Sequence, residues 1–144
     1  MERDKQEVIV FDILVANNAT SDALAAALSG IFQIGFGDVF IAENYEDLLN
    51  VDMENIKIFC LSSRIRGDFS WLLTLHIYDI TLRIGIVDIA KKLSVLLLSL
   101  CLIPDDSSIN PYDYIAFYPN REPKRIALIA DETEGDNYAI EQKQ

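Results

Sequence analysis

The sequence predicts an α+β domain: a mostly antiparallel sheet of about six strands with two helices packed on one of its faces. Three observations predict it. Several stretches alternate apolar and polar residues with a period of two, which is strand patterning. Two stretches instead repeat apolar residues at three- and four-residue spacing, which is helix patterning. The middle of the chain, 56–78, reads as one β-hairpin and holds the only Trp and the only His. The expected element order is β-α-β-β-β-α-β-β. It is placed in a single domain over 1–130, followed by a polar tail over 131–144.

The first strand is expected at 8–15, with Ile9, Phe11, Ile13 and Val15 on one face. Val8, Val10 and Leu14 make its other face largely apolar, which suits an interior strand. Asp12 breaks that face and reads as a sheet carboxylate bonded to a neighbour. After a loop at 16–19, Thr20 or Ser21 can cap a helix, with Asp22 favourably placed in its first turn. Leu24, Ala27, Leu28, Ile31 and Phe32 then share one helical face. Gly35-Phe36-Gly37 follows that helix rather than preceding one, so it does not read as a phosphate loop.

A short strand is expected at 38–42, then an acidic connection at 43–54 with a helical turn near 45–49. The hairpin follows, with arms at 56–61 and 69–78 and a turn near Arg66-Gly67-Asp68. In its second arm Phe69, Trp71, Leu73, Leu75 and Ile77 fall on the core side. The Arg-Gly-Asp triplet reads as a turn rather than an adhesion motif. From Ile86 a core helix is expected to run through Leu102 and to end at Pro104. A strand at 112–118, a turn at 120–123 and a returning strand at 125–130 complete the sheet. Tyr112, Tyr114 and Tyr118 share a face of the first of these. The acids at 131–136 lack the alternating spacing and the closing Glu of a calcium loop.

Composition narrows the function. The chain has 144 residues, is 51% hydrophobic and carries a net charge of −11. Its length fits one domain with a real core. Its first residues mix both charge signs, unlike a secretory leader. Its longest apolar-rich run, 93–103, is well short of the roughly 20 residues of a membrane helix. A soluble, cytoplasmic protein is expected, and no membrane partner. Cys60 and Cys101 lie far apart without a CxxC partner, so buried free thiols are expected rather than a disulfide or metal site.

The charge is unevenly spread. Between Gln6 and Ile56 there is no Lys or Arg, while Glu7, Asp12, Asp22, Asp38, Glu43, Glu46, Asp47, Asp52 and Glu54 are all acidic. Such a surface repels phosphate backbones, so a nucleic-acid partner is not expected. It suits a basic protein partner. The expected contact residues are Asp38, Glu43, Tyr45, Glu46, Asp47, Asp52 and Glu54, with Tyr112, Tyr114 and Tyr118. The sheet face away from the helices is expected to carry those tyrosines together with His76 and Tyr78.

No nucleophile elbow, phosphate loop, zinc helix motif or dinucleotide fingerprint is present. No catalytic, cofactor or metal residues are therefore assigned. In size, acidity and lack of a catalytic motif the chain resembles the small immunity proteins of bacterial toxin–immunity pairs, more narrowly those of contact-dependent growth inhibition systems. The resemblance implies binding to a toxin domain, often a basic nuclease, and neutralisation of it. The alternative is a small enzyme whose site is assembled from dispersed carboxylates and His76.

Overall fold

Strand β1 (Ile9–Val15) is the inner member around which a mixed seven-stranded sheet is laid out. The computed structural model describes residues 8–50, 53–79, 81–82, 84–129 and 137–141. After β1 come α1 (Ser21–Phe32), β2 (Val39–Ala42), β3 (Ile58–Arg64), β4 (Arg66–Gly67) and β5 (Trp71–Ile77). They are followed by α2 (Ile86–Leu97), β6 (Cys101–Pro104), β7 (Asp113–Tyr118), β8 (Arg121–Ala127) and β9 (Asn137–Tyr138). The sheet runs β2-β3-β5-β1-β6-β7-β8, antiparallel throughout except for the parallel pair β2–β3. The α+β class, the mostly antiparallel sheet and the two helices on one face are as the patterning predicts.

The alternation in β5 sets the two faces. Trp71, Leu73, Leu75 and Ile77 are buried, while Leu72, Thr74 and His76 between them are partly exposed. Register carries this parity into β1, where Ile13 stands opposite Leu73 and Phe11 opposite Leu75. One core therefore forms between this face and the helices, from Ile13, Val15, Leu73, Leu75 and Ile77 to Leu24, Leu28, Ile31, Ile89 and Leu93. Thr20 caps α1 by accepting a hydrogen bond from the Ala23 N–H at 3.0 Å. No helix among the described residues is long and apolar enough to cross a membrane.

The second helix is shorter than expected. It stops at Leu97, and Leu98 turns the chain in the left-handed region at φ 50°. The apolar run then continues as β6, pairing with β1 at Leu14↔Leu102 and Val15↔Cys101. Periodicity alone cannot separate a buried strand from a helix segment in so apolar a run. What decides it lies far away in sequence. Asn17, just after β1, donates its side-chain amide to the Leu98 carbonyl at 2.7 Å, and its backbone N–H to the Ser99 hydroxyl at 2.9 Å. Those bonds use groups freed at the helix end and lead the chain into the sheet. The last hairpin also differs: β7 and β8 are joined by a tight turn at Pro119-Asn120, so β8 begins at Arg121 and includes Pro123.

Part of the expected polar tail belongs to the fold. Residues 137–141 lie on the face that the helices leave uncovered. Asn137 and Tyr138 pair with Arg66 and Gly67, and Ile140 bridges Leu128. Asp68 fastens them twice: its N–H donates to the Tyr138 carbonyl at 2.9 Å, and its carboxylate accepts from the Ile140 N–H at 2.8 Å. Gly67 has φ 97°, and a Cβ there would sit 2.5 Å from the Tyr138 carbonyl oxygen. The Arg-Gly-Asp triplet is thus a clamp on the C-terminal segment. Tyr138 and Ile140 pack on a second cluster of Leu14, Phe69, Leu102, Ala116 and Leu128.

Leu93 is fully buried between helix and sheet. Leu93→Asp is expected to abolish the cooperative thermal melt, because an unpaired buried charge is too unfavourable to keep. Leu96→Asp on the same helix, at a side chain 54% exposed, is expected to keep it. Circular dichroism melts of the two variants check this.

Candidate functional site

The acidic stretch occupies one end of the sheet, beside edge strand β2. Asp38 is half-buried and already engaged: its carboxylate accepts from the Gly35 N–H at 3.0 Å and lies 4.0 Å from the Lys57 ammonium. Glu43, Glu46 and Asp47 are exposed, as is Glu54. The segment Tyr45–Asn50 is a 3-10 helix, and the Asp47 N–H donates to the Asn44 side chain at its start. Asp52 lies outside the described residues. Of the expected acids, then, Glu43, Glu46 and Asp47 form the outward-facing group, while Asp38 holds a turn together.

Tyr45 joins this group to the sheet. Its ring centroid lies 5.9 Å from Phe59 and 5.9 Å from His76. Phe40, Phe59 and His76 are direct cross-strand neighbours on β2, β3 and β5. Register therefore sets them in one row on the face away from the helices. Phe40 stacks on Phe59 at 5.9 Å, Phe59 meets His76 at 5.4 Å, and His76 stacks on Tyr78 at 6.4 Å. Phe59 is fully buried at the centre, whereas Tyr45 is 54% exposed. Phe40 and Phe59 were not among the expected contact residues. Their common parity with His76 was present in the sequence, but only the strand order makes it a row.

The β7 tyrosines lie elsewhere. Tyr114 and Tyr118 pack against the second cluster, with Tyr138 and Ile140 beside them. Tyr118 carries the Arg121 guanidinium 3.9 Å above its ring. Tyr112 precedes β7, and its carbonyl accepts from the Leu128 N–H at 2.9 Å. Strands β5, β1 and β6 separate β3 from β7. At about 4.8 Å per strand that is a separation of roughly 19 Å. The structure thus divides the expected site into an acidic-aromatic patch and a tyrosine patch. The hydroxyl of Tyr114 is pushed up, first by burial and then by the nearby Tyr138, Asp12 and Tyr112. Asp12 lies on the face between the two patches and accepts from the Thr74 hydroxyl at 3.0 Å.

The groups that could do chemistry are placed as follows. His76 is surrounded by aromatic rings, and its buried Nδ1 has no partner among the described residues. Cys60 and Cys101 are free and buried, and burial pushes both thiols up to about 12. No group of His, Cys, Asp and Glu among the described residues is arranged to hold a metal ion. A cavity of about 220 Å³ opens at the start of α1, lined by Asn18, Thr20, Ser62, Arg64 and Trp71, with Glu43 at its wall. A second, of about 750 Å³, lies between β8 and the loop after β6.

The second cavity contains Asp105, a carboxylate that is almost wholly buried and fully used. It accepts from the Ser107 hydroxyl at 2.6 Å and the Ser107 N–H at 3.1 Å, and pairs with Arg125 at 3.3 Å. The Ser107 hydroxyl bond, with its N–H bond and Arg125, holds the Asp105 carboxyl below the usual carboxylate range against the opposing effect of burial. A carboxyl held low in the folded state adds stability above its unfolded value, and that stability is lost as pH falls through the folded one. Asp105→Asn is therefore expected to be less stable than the parent at pH 7, with the gap narrowing once the pH is taken below the ordinary Asp range. Urea melts at pH 7 and below that range read the difference.

The thiols give a simpler expectation. A group raised so far remains protonated and enclosed at pH 8. An alkylating reagent is expected to label neither cysteine in the folded protein and both after unfolding, as mass spectrometry would record.

No protein-family model, curated protein or solved structure matches this chain.

Proposed function

We propose that this chain is an acidic protein-binding module that acts in the cytoplasm as an immunity protein, binding and neutralising a cognate basic toxin domain of the nuclease type. The observation that carries the reading is the placement of Glu43, Glu46 and Asp47. All three are exposed, and all lie within two residues of Tyr45, whose ring rests on the aromatic face of the sheet. The acids supply long-range attraction and the rings supply contact area. That is the division of labour found in fast, tight protein pairs.

A nuclease suits such a surface for a physical reason. A protein that grips a phosphate backbone does so with Lys and Arg, so its substrate surface is cationic. A carboxylate-rich inhibitor competes for that surface. The size and acidity shared with immunity proteins of contact-dependent growth inhibition point the same way. The β7 tyrosines stand too far across the sheet to share one small contact with Glu46. They enter the proposed interface only if the partner spans the whole face.

Rim charges act mainly on the association rate, while buried anchors act on dissociation. Reversing Glu43, Glu46 and Asp47 to Lys together is expected to slow association with the captured partner by at least about tenfold at low salt. The same variant is expected to melt like the parent. Association rates across a salt series check this; a rate indifferent to both salt and reversal would overturn the reading.

A further inference from the structure

We propose that the aromatic face bearing Tyr45 seats an arginine side chain of the partner, an inference that rests on the acidic-docking reading above. Phe40, Tyr45 and His76 surround the buried Phe59 on the face that the helices leave uncovered, and Tyr78 stacks on His76 beyond them. Tyr45 offers the most open ring, at 54% exposure. A ring face is negative at its centre and attracts a cation placed above it. Glu43, Glu46 and Asp47 are its chain neighbours and concentrate cations there.

Trp71 and Tyr118 are met by cations of the same chain. Arg64 lies 4.6 Å over Trp71, and Arg121 lies 3.9 Å over Tyr118. Among the described residues no Lys or Arg is placed over Phe40 or Tyr45, and the segment from Gln6 to Ile56 that supplies both contains neither residue type. Charge complementarity thus assigns the occupant: a cation from outside, met by carboxylates at the rim. Arginine fits better than lysine. Its guanidinium is planar and weakly hydrated, so it can lie flat on a ring, whereas an ammonium keeps its water.

The test uses the full chain with labelled octa-arginine and octa-lysine peptides as probes, read by fluorescence anisotropy. Octa-arginine is expected to bind the more tightly by about fivefold or more. Tyr45→Leu is expected to weaken octa-arginine about fivefold while changing octa-lysine less than about twofold, and Tyr45→Phe, which keeps the ring, to restore the preference. The triple reversal of Glu43, Glu46 and Asp47 is expected to weaken both peptides alike, and so reports on docking rather than on the seat. Loss of both peptides in the triple variant, with Tyr45→Leu unchanged, would leave the docking reading standing and overturn the arginine seat. In the parent protein, octa-arginine is expected to shift the ring resonances of Tyr45 and His76 and not those of Tyr118. Unshifted Tyr45 and His76 rings would overturn the seat whether or not the variants fold. Tighter binding of a single-stranded oligonucleotide, or self-association that depends on Tyr45, would assign the face to another occupant and overturn it equally.

Discussion

A seven-stranded sheet has two faces to cover, and among the described residues α1 and α2 cover only one. Everything else follows from how the second face is dealt with. On the helix side the solution is ordinary: α1 and α2 lay one apolar stripe each against Ile13, Leu73, Leu75 and Phe117. On the other side Leu14 and Leu102 are equally apolar, at 2% and 0% exposure, yet neither α1 nor α2 reaches them. Residues 137–141 take that place, held by Asp68 and by the close approach that Gly67 permits. A slip of one residue in β1 would exchange its faces and expose both sets at once. Pairing along the whole length of β5, from Ile9↔Ile77 to Val15↔Trp71, holds the register.

The C-terminal segment covers only the part of the second face near β6 and β7. Toward β2 and β3 the cover is made of rings. Phe59 is fully buried there with neither α1 nor α2 above it, because Phe40, Tyr45 and His76 close around it. Such a cover differs from a helix in what it leaves outside. A helix would present a charged back to solvent, whereas these side chains leave accessible ring surface beside three carboxylates. The same need to hide Phe59 thus produces the surface on which the functional reading rests.

How much of this was legible in the sequence depends on the range of the interactions that decide it. The core side of β5 was legible because a half-covered strand alternates strictly, and Trp71, Leu73, Leu75 and Ile77 all follow that rule. The cap at Thr20 was narrowed to two residues for a similar reason: it is a bond to a residue three places on. The end of α2 was not legible, because the groups that receive Leu98 and Ser99 belong to Asn17, at the far end of β1. Leu98 also turns in the left-handed region without a glycine to announce it. The site was half legible. Local charge singled out Glu43, Glu46 and Asp47, and Tyr45 among them. The partnership of Tyr45 with Phe59 and His76, and the distance to Tyr114, depend on strand order, which alternation within a strand does not encode.

Strand order also determines what the net charge of −11 means. Glu43, Glu46 and Asp47 stand at the β2 end, while Arg121, Lys124 and Arg125 sit on β8 at the opposite edge. Six strand spacings separate the two edge strands, which at about 4.8 Å each is roughly 29 Å. The screening length at physiological salt is about 8 Å. A partner at one end therefore hardly feels the charges at the other. The cations on β8, with Pro123 among them, serve a separate purpose: a charged, proline-bearing edge resists the addition of a foreign strand. Edge strand β2, only four residues long, lies beside the acidic segment. The charge at each end can then be understood by what it borders, an edge to be protected on β8 and a ring surface to be approached beside β2.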